Sequence, residues 1–311
     1  MMFRNSLKLF VANFSVFWKL LFYKLIVLGI CVALLIPTFD SFSVAFGSVG
    51  FWDKFTSFAN DTMFSNTPSF FNNIFILVDL FLQAIKYMFS YNLLAIIYAM
   101  IVVLFVLPFL MNLSAIPTGE GLYSYMSSLS KSSFVGTLIA RMGKSMLYAL
   151  LRTLLLIPFI AFMVVTMYYL LKVATINNIL AIFIPILSTI YFAICMSLMM
   201  TTFCGWMPAT VVFNVSPIKG LKKGLKAVFR RYFRVLSCIF MMVLITTMFT
   251  FMLTTFSLII LFPLCSVGVI MLEMVMFFES QGMRYYVDLD TIITPKKLEQ
   301  CDKFCKVKDI I

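Results

Sequence analysis

Six apolar stretches, each about long enough to cross a lipid bilayer, leave this chain few folds to choose from. They run over about residues 22–39, 91–112, 145–171, 179–204, 236–261 and 263–281. A hydrocarbon layer about 30 Å thick takes roughly 20 apolar residues as helix, and within it a helix satisfies its own backbone groups. Of the 311 residues, 63% are hydrophobic and only 12% charged, about half the charge of a soluble domain. The expected fold is all-α: a polytopic transmembrane helical bundle of six spans with interfacial amphipathic helices. Pro108, Pro158 and Pro185 fall inside spans and should kink them. Phe262, Pro263 and Leu264 predict a tight connection between the last two.

Charge gives the bundle a direction. The net charge is +12, from 24 basic and 12 acidic residues. With the N-terminus inside, all the basic residues but Lys54, Lys86, Lys172 and Arg152 fall in inner segments. Positive residues stay on the cytoplasmic side of a membrane, so both termini are expected there, in a multi-pass protein of the plasma membrane. In a soluble chain this charge would suggest nucleic acid. Beside apolar spans it suggests the bilayer and its anionic headgroups as partners, and no nucleic acid. A signal peptide cleaved near Ser43-Val44-Ala45 is the competing reading. The charged region before the apolar run is about 20 residues long, too long for that.

The organisation that follows is a transmembrane domain over 1–281 and a short cytoplasmic tail over 282–311. The domain starts with an inner amphipathic helix over 1–21. Its outer segment, 40–90, is too long for a plain loop. There Asp79, Gln83 and Lys86 recur at helical spacing, which predicts an interfacial helix. A seventh span would put a basic loop on the wrong side. Phe51, Trp52, Phe55, Phe70 and Phe71 suit either the headgroup belt or a docking face for a membrane-protein partner.

Histidine is absent, which removes imidazole catalysis and the usual zinc and haem ligands. Five of the seven cysteines lie in or beside apolar runs, and Cys301 and Cys305 lie in the tail without a second pair. There is no phosphate-binding glycine loop and no nucleophile elbow. No enzyme activity, metal or other cofactor is expected. Glu120 is expected to cap the helix that follows it.

The strongest motif runs from Ser216 to Leu236. Ser216 can cap a helix and Pro217 suits its first turn. Ile218, Leu221, Leu225, Val228, Phe229, Tyr232 and Leu236 form an apolar face. Lys219, Lys222, Lys223, Lys226, Arg230, Arg231 and Arg234 are the candidate contacts to anionic lipid. The N-terminus has the same design, with Leu7, Phe10, Phe14, Phe17 and Leu21 opposite Arg4, Lys8 and Lys19. Ile116-Pro117-Thr118 and Met207-Pro208-Ala209-Thr210 echo each other. The chain thus reads as three units of inner amphipathic helix, span out and span back.

Pro208-Ala209-Thr210 with the helix to Arg234, and Pro117-Thr118 as a second copy, resemble the YesL-like membrane proteins of Firmicutes and related polytopic families. The match covers about a third of the chain. It implies a bacterial plasma-membrane protein associated with an uptake system, and supplies no catalytic residue.

Ionisable residues inside spans are costly and mark function by default. Arg152 lies eight residues beyond Lys144, and Glu273 eight before Gln281 on a span of opposite direction. Both therefore sit roughly 12 Å deep at 1.5 Å per residue. They are expected to meet as an intramembrane ion pair, serving either ion coupling and substrate binding or helix register. The function expected is non-enzymatic: an accessory subunit or a small permease. A lipid-binding scaffold is the alternative, and a lipid-modifying enzyme a third.

Overall fold

The structure is a computed structural model that describes residues 2–62, 67–174, 178–229, 231–252, 255–288 and 291–294. The chain is α-helical almost throughout. The helices are α1 (Met2–Ala12), α2 (Phe14–Ser48), α3 (Phe51–Thr62), α4 (Thr67–Tyr91), α5 (Leu93–Ile101), α6 (Leu107–Leu113) and α7 (Ala115–Ser128). They continue with α8 (Phe134–Ala140), α9 (Met142–Ala174), α10 (Asn178–Phe203), α11 (Trp206–Val212), α12 (Pro217–Phe229), α13 (Tyr232–Met252) and α14 (Thr255–Gln281). Strands β1 (Tyr285–Tyr286) and β2 (Ile292–Ile293) pair antiparallel.

Among the described residues, five helical stretches are long and apolar enough to cross a membrane: Phe14–Ser48, Leu93–Ser128, Met142–Met167, Leu187–Val212 and Pro263–Gln281. A further apolar helix, Tyr232–Thr247, is shorter. Two expected boundaries move. Pro263 lies inside α14 and not between two spans, because α13 ends at Met252 and α14 begins at Thr255. The first apolar helix begins at Phe14 and runs to Ser48, so part of the expected outer segment is its continuation.

Pro108 is absorbed by a change of helical register. Val102–Val106 form a π turn, and Leu107 N–H donates to Val102 C=O, five residues back. A proline lacks the N–H and crowds the preceding turn. The wider π turn, one residue upstream, gives the backbone room for it.

The chain divides into two compact units, Met1–Ile26 with Phe109–Leu155 and Ala193–Ile311, and Val27–Pro108 with Leu156–Phe192. In the second unit an aromatic cluster joins three helices, with Phe46 of α2 4.9 Å from Phe51 of α3 and 5.6 Å from Phe81 of α4. Asn92 accepts from Ala95 N–H to cap α5, and its Nδ2 donates to Ser41 Oγ at 3.0 Å. Trp52 and Phe55 are exposed. The side chains of Phe70 and Phe71 are outside the described residues.

The first unit carries the larger core. Two short helices at its centre have the same local design. Pro117 is the third residue of α7 and Pro208 the third of α11, where a missing N–H is harmless. Thr118 N–H donates to Ser114 C=O and Ala209 N–H to Gly205 C=O, each at 3.1 Å. The two helices pack against each other where Gly119 leaves room for Met207 and Val211.

Single-residue breaks separate two short helices from the long ones that follow, Asn13 before α2 and Arg141 before α9; a third short helix, α12, ends at Phe229 shortly before α13 begins at Tyr232. The expected N-terminal helix over 1–21 is therefore two helices, α1 and the start of α2. Met2, Asn5, Ser6 and Leu9 are buried, and α1 packs on α14, while Leu7 and Phe14 are exposed. With hydrocarbon as solvent, apolar side chains need not turn inward.

The tail expected from residue 282 starts with packed structure. Tyr285 and Val287 are buried in the first unit's core, and β1 lies against α7. Cys301 and Cys305 are outside the described residues.

Candidate functional site

The candidate site lies in the first unit, among charged and polar side chains carried by apolar helices. Arg152 sits on α9 one turn beyond Tyr148, and its Nη1 donates to the Tyr148 hydroxyl at 2.6 Å. Tyr148 is fully buried, and its ring meets Trp206 edge to face, centroids 4.9 Å apart. Glu273 of α14 is 2% exposed, between Leu272 and Met274, which are buried with it.

Arg152 and Glu273 lie within electrostatic reach of each other, but their side chains do not form an ion pair. The guanidinium is turned to Tyr148, and Arg152 Nε and Glu273 Oε2 have no hydrogen-bond partner. A buried carboxylate oxygen left without a donor is costly, and such a group in a packed core calls for a functional explanation. Cys204 at the end of α10 is buried within reach of both charges.

Lys24 joins this set. It was expected among the inner, cytoplasmic cations, yet it lies inside α2, is buried, and donates to Ser266 Oγ on α14. Ser266 in turn donates to Pro263 C=O at 2.8 Å. Lys24 also lies within electrostatic reach of Arg152. The sequence carried the signal, since Lys24 falls within the first apolar run. Thr153 and Thr201 add buried hydroxyls without partners. Two cations and a carboxylate on α2, α9 and α14 thus stand in apolar surroundings, with Arg152 coupled electrostatically to both Lys24 and Glu273.

The basic helix α12 divides into three faces. Pro217, Gly220, Gly224, Ala227 and Val228 are buried, so the small residues pack inward, not the large apolar ones. Gly205 and Gly224 meet backbone to backbone, and Gly220 faces Thr210. Trp206 Nε1 donates to Pro217 C=O at 2.7 Å. The sequence signal was Gly220 and Gly224 four residues apart, the spacing that lets helix backbones approach. Ile218 and Phe229 are exposed on a second face, and Lys219, Lys222, Lys223 and Lys226 on a third.

Not all the expected lipid-contact cations are free for that role. Arg231 is half-buried, with its Nη1 3.5 Å from Glu279 Oε2. Glu279 Oε1 accepts from the Tyr285 hydroxyl at 3.1 Å, and that hydroxyl accepts from Asn5 Nδ2 at 3.0 Å. Lys223 Nζ lies 4.4 Å over the Phe213 ring. Arg234 is exposed, and Arg230 is outside the described residues. Glu120 does not cap a helix: it lies within α7 and pairs with Arg141 Nε at 2.9 Å.

Burial raises the Tyr285 hydroxyl above its ordinary range, and the neighbouring Glu279 carboxylate adds to the rise. Among the described residues no group of His, Cys, Asp and Glu could hold a metal ion. No protein-family model, curated protein or solved structure matches the chain.

Proposed function

We propose that this chain is a non-enzymatic, permease-like protein of the bacterial plasma membrane. It has six spans, α13 being the sixth, and both termini are cytoplasmic. One observation supports the reading: buried Glu273 and half-buried Arg152, on different apolar helices, lie within electrostatic reach yet are not neutralised by direct pairing. Intramembrane ionisable groups that face protein interior mark ion or substrate pathways. Lys24, Tyr148 and Cys204 supply further polar lining. The crowding of cations onto one side of the spans supports the orientation, and the resemblance to YesL-like proteins agrees with a role in uptake.

The test is reconstitution into liposomes with imposed gradients of protons, sodium, potassium, chloride and small amino acids. At least one gradient should collapse faster than in protein-free liposomes, and Glu273→Gln should abolish the difference. Protein-free behaviour for every gradient would sink the permease reading.

A second reading, a lipid-binding scaffold, rests on α12. Its exposed lysines and exposed apolar Ile218 and Phe229 suit a helix lying in the headgroup layer. Neutralising Lys219, Lys222, Lys223 and Lys226 together should then remove partner or lipid binding, while a permease would keep its flux.

A further inference from the structure

We propose that the outer flank of α1 is a binding site for one anionic phospholipid. Arg4, Leu7, Lys8, Val11 and Ala12 line an open groove of about 400 Å³ closed on one side by Asp288. The opposite flank of α1 is packed on α14 through Met2, Asn5, Ser6 and Leu9. The helix is therefore held while its Leu7 and Val11 face outward, 50% and 75% exposed.

Two features select a lipid over a free anion. Arg4 and Lys8 are one turn apart, so both cations can reach a single phosphate. Past the break at Asn13, the exposed rings of Phe14, Trp18 and Phe22 follow at successive turns, with centroids 6.3 and 6.4 Å apart. That ladder begins three residues after Val11 and runs along α2, one of the helices long enough to cross the membrane. A soluble phosphate would use the cations and leave the ridge bare. A phospholipid uses both, with its headgroup at Arg4 and Lys8 and an acyl chain along the aromatic ladder.

Asp288 is the competitor. Lys8 Nζ lies 4.0 Å from Asp288 Oδ2, with both side chains more than a third exposed. So loose and exposed a pair is weak, and a lipid phosphate can take the carboxylate's place. The groove shares no lining residue with Arg152 or Glu273, and the proposal does not rest on the permease reading. Lipid retention and ion flux fail separately.

The test uses the full chain in mild detergent micelles doped with equal amounts of phosphatidylglycerol and phosphatidylcholine. Native mass spectrometry counts what stays bound. The wild type should retain one phosphatidylglycerol in preference to phosphatidylcholine. The double variant R4Q/K8Q should lose that preference by about tenfold. D288N leaves α1 intact and should raise it about threefold. Millimolar inorganic phosphate should not displace the lipid. Wild-type retention in R4Q/K8Q, no gain in D288N, or displacement by inorganic phosphate each overturns the site.

Discussion

Gly205 and Gly224 approach so closely that a β-carbon on either would strike the other's backbone carbonyl. This contact locks α11 to α12 and so fixes the basic helix beside the span that precedes it. Gly224→Ala should lower stability by about 1–3 kcal/mol, since the obstacle is backbone and not a side chain that can swing away. Gly29→Ala is the control: a β-carbon there meets nothing within 4 Å, and the better helix former should leave stability equal or higher. Thermal unfolding in detergent, read by intrinsic fluorescence, distinguishes the two.

Arg152→Met should destabilise, by roughly 1–3 kcal/mol. It removes the bond to Tyr148 and strips Glu273 of the cation within its reach. The double variant Arg152→Met, Glu273→Leu should recover most of that loss, because no unpaired charge is left. A double-mutant cycle by chemical denaturation measures the coupling. Additive losses would show that the two side chains act independently.

Tyr285→Phe removes the hydroxyl that joins Asn5 to Glu279, and should cost about 1–2 kcal/mol at neutral pH. The variant should also respond less to alkali. In the folded chain the phenol is held neutral above its ordinary value near 10, whereas in the unfolded chain it ionises freely. Its contribution is complete below pH 10 and falls as pH rises from there toward the raised folded value. The stability gap between wild type and Tyr285→Phe should therefore narrow above pH 10.

A reporter enzyme fused after Ile311 should stay protected from protease added to intact cells. Replacing Lys219, Lys222, Lys223 and Lys226 by Gln should expose a fraction of the molecules if, as proposed, these cations lie on the cytoplasmic side. Folded material should keep its thermal midpoint, since all four side chains are exposed.

The apolar helices and the proline helices were legible because their signals are local: run length, proline position and the spacing of Lys222, Lys226 and their neighbours. The burial of Lys24 was not legible in charge asymmetry, which does not register that Ser266, 242 residues away, offers it an acceptor. The packing face of α1 carries no such local signal. In water Leu7 and Phe14 would define the core, but beside lipid the packing face of α1 is made by Asn5 and Ser6 as well as Leu9. Arg231 looked like any other cation of its run until Glu279 was brought against it by the fold.

Asn5 finds its partner 280 residues downstream, in the hairpin that begins at Tyr285. On the ribosome, the earliest-made helix must wait through nearly the whole of synthesis before that bond can form. A polypeptide released before Tyr285 would leave the polar side of α1 open to the membrane surface, where a quality-control protease could recognise an unfinished product.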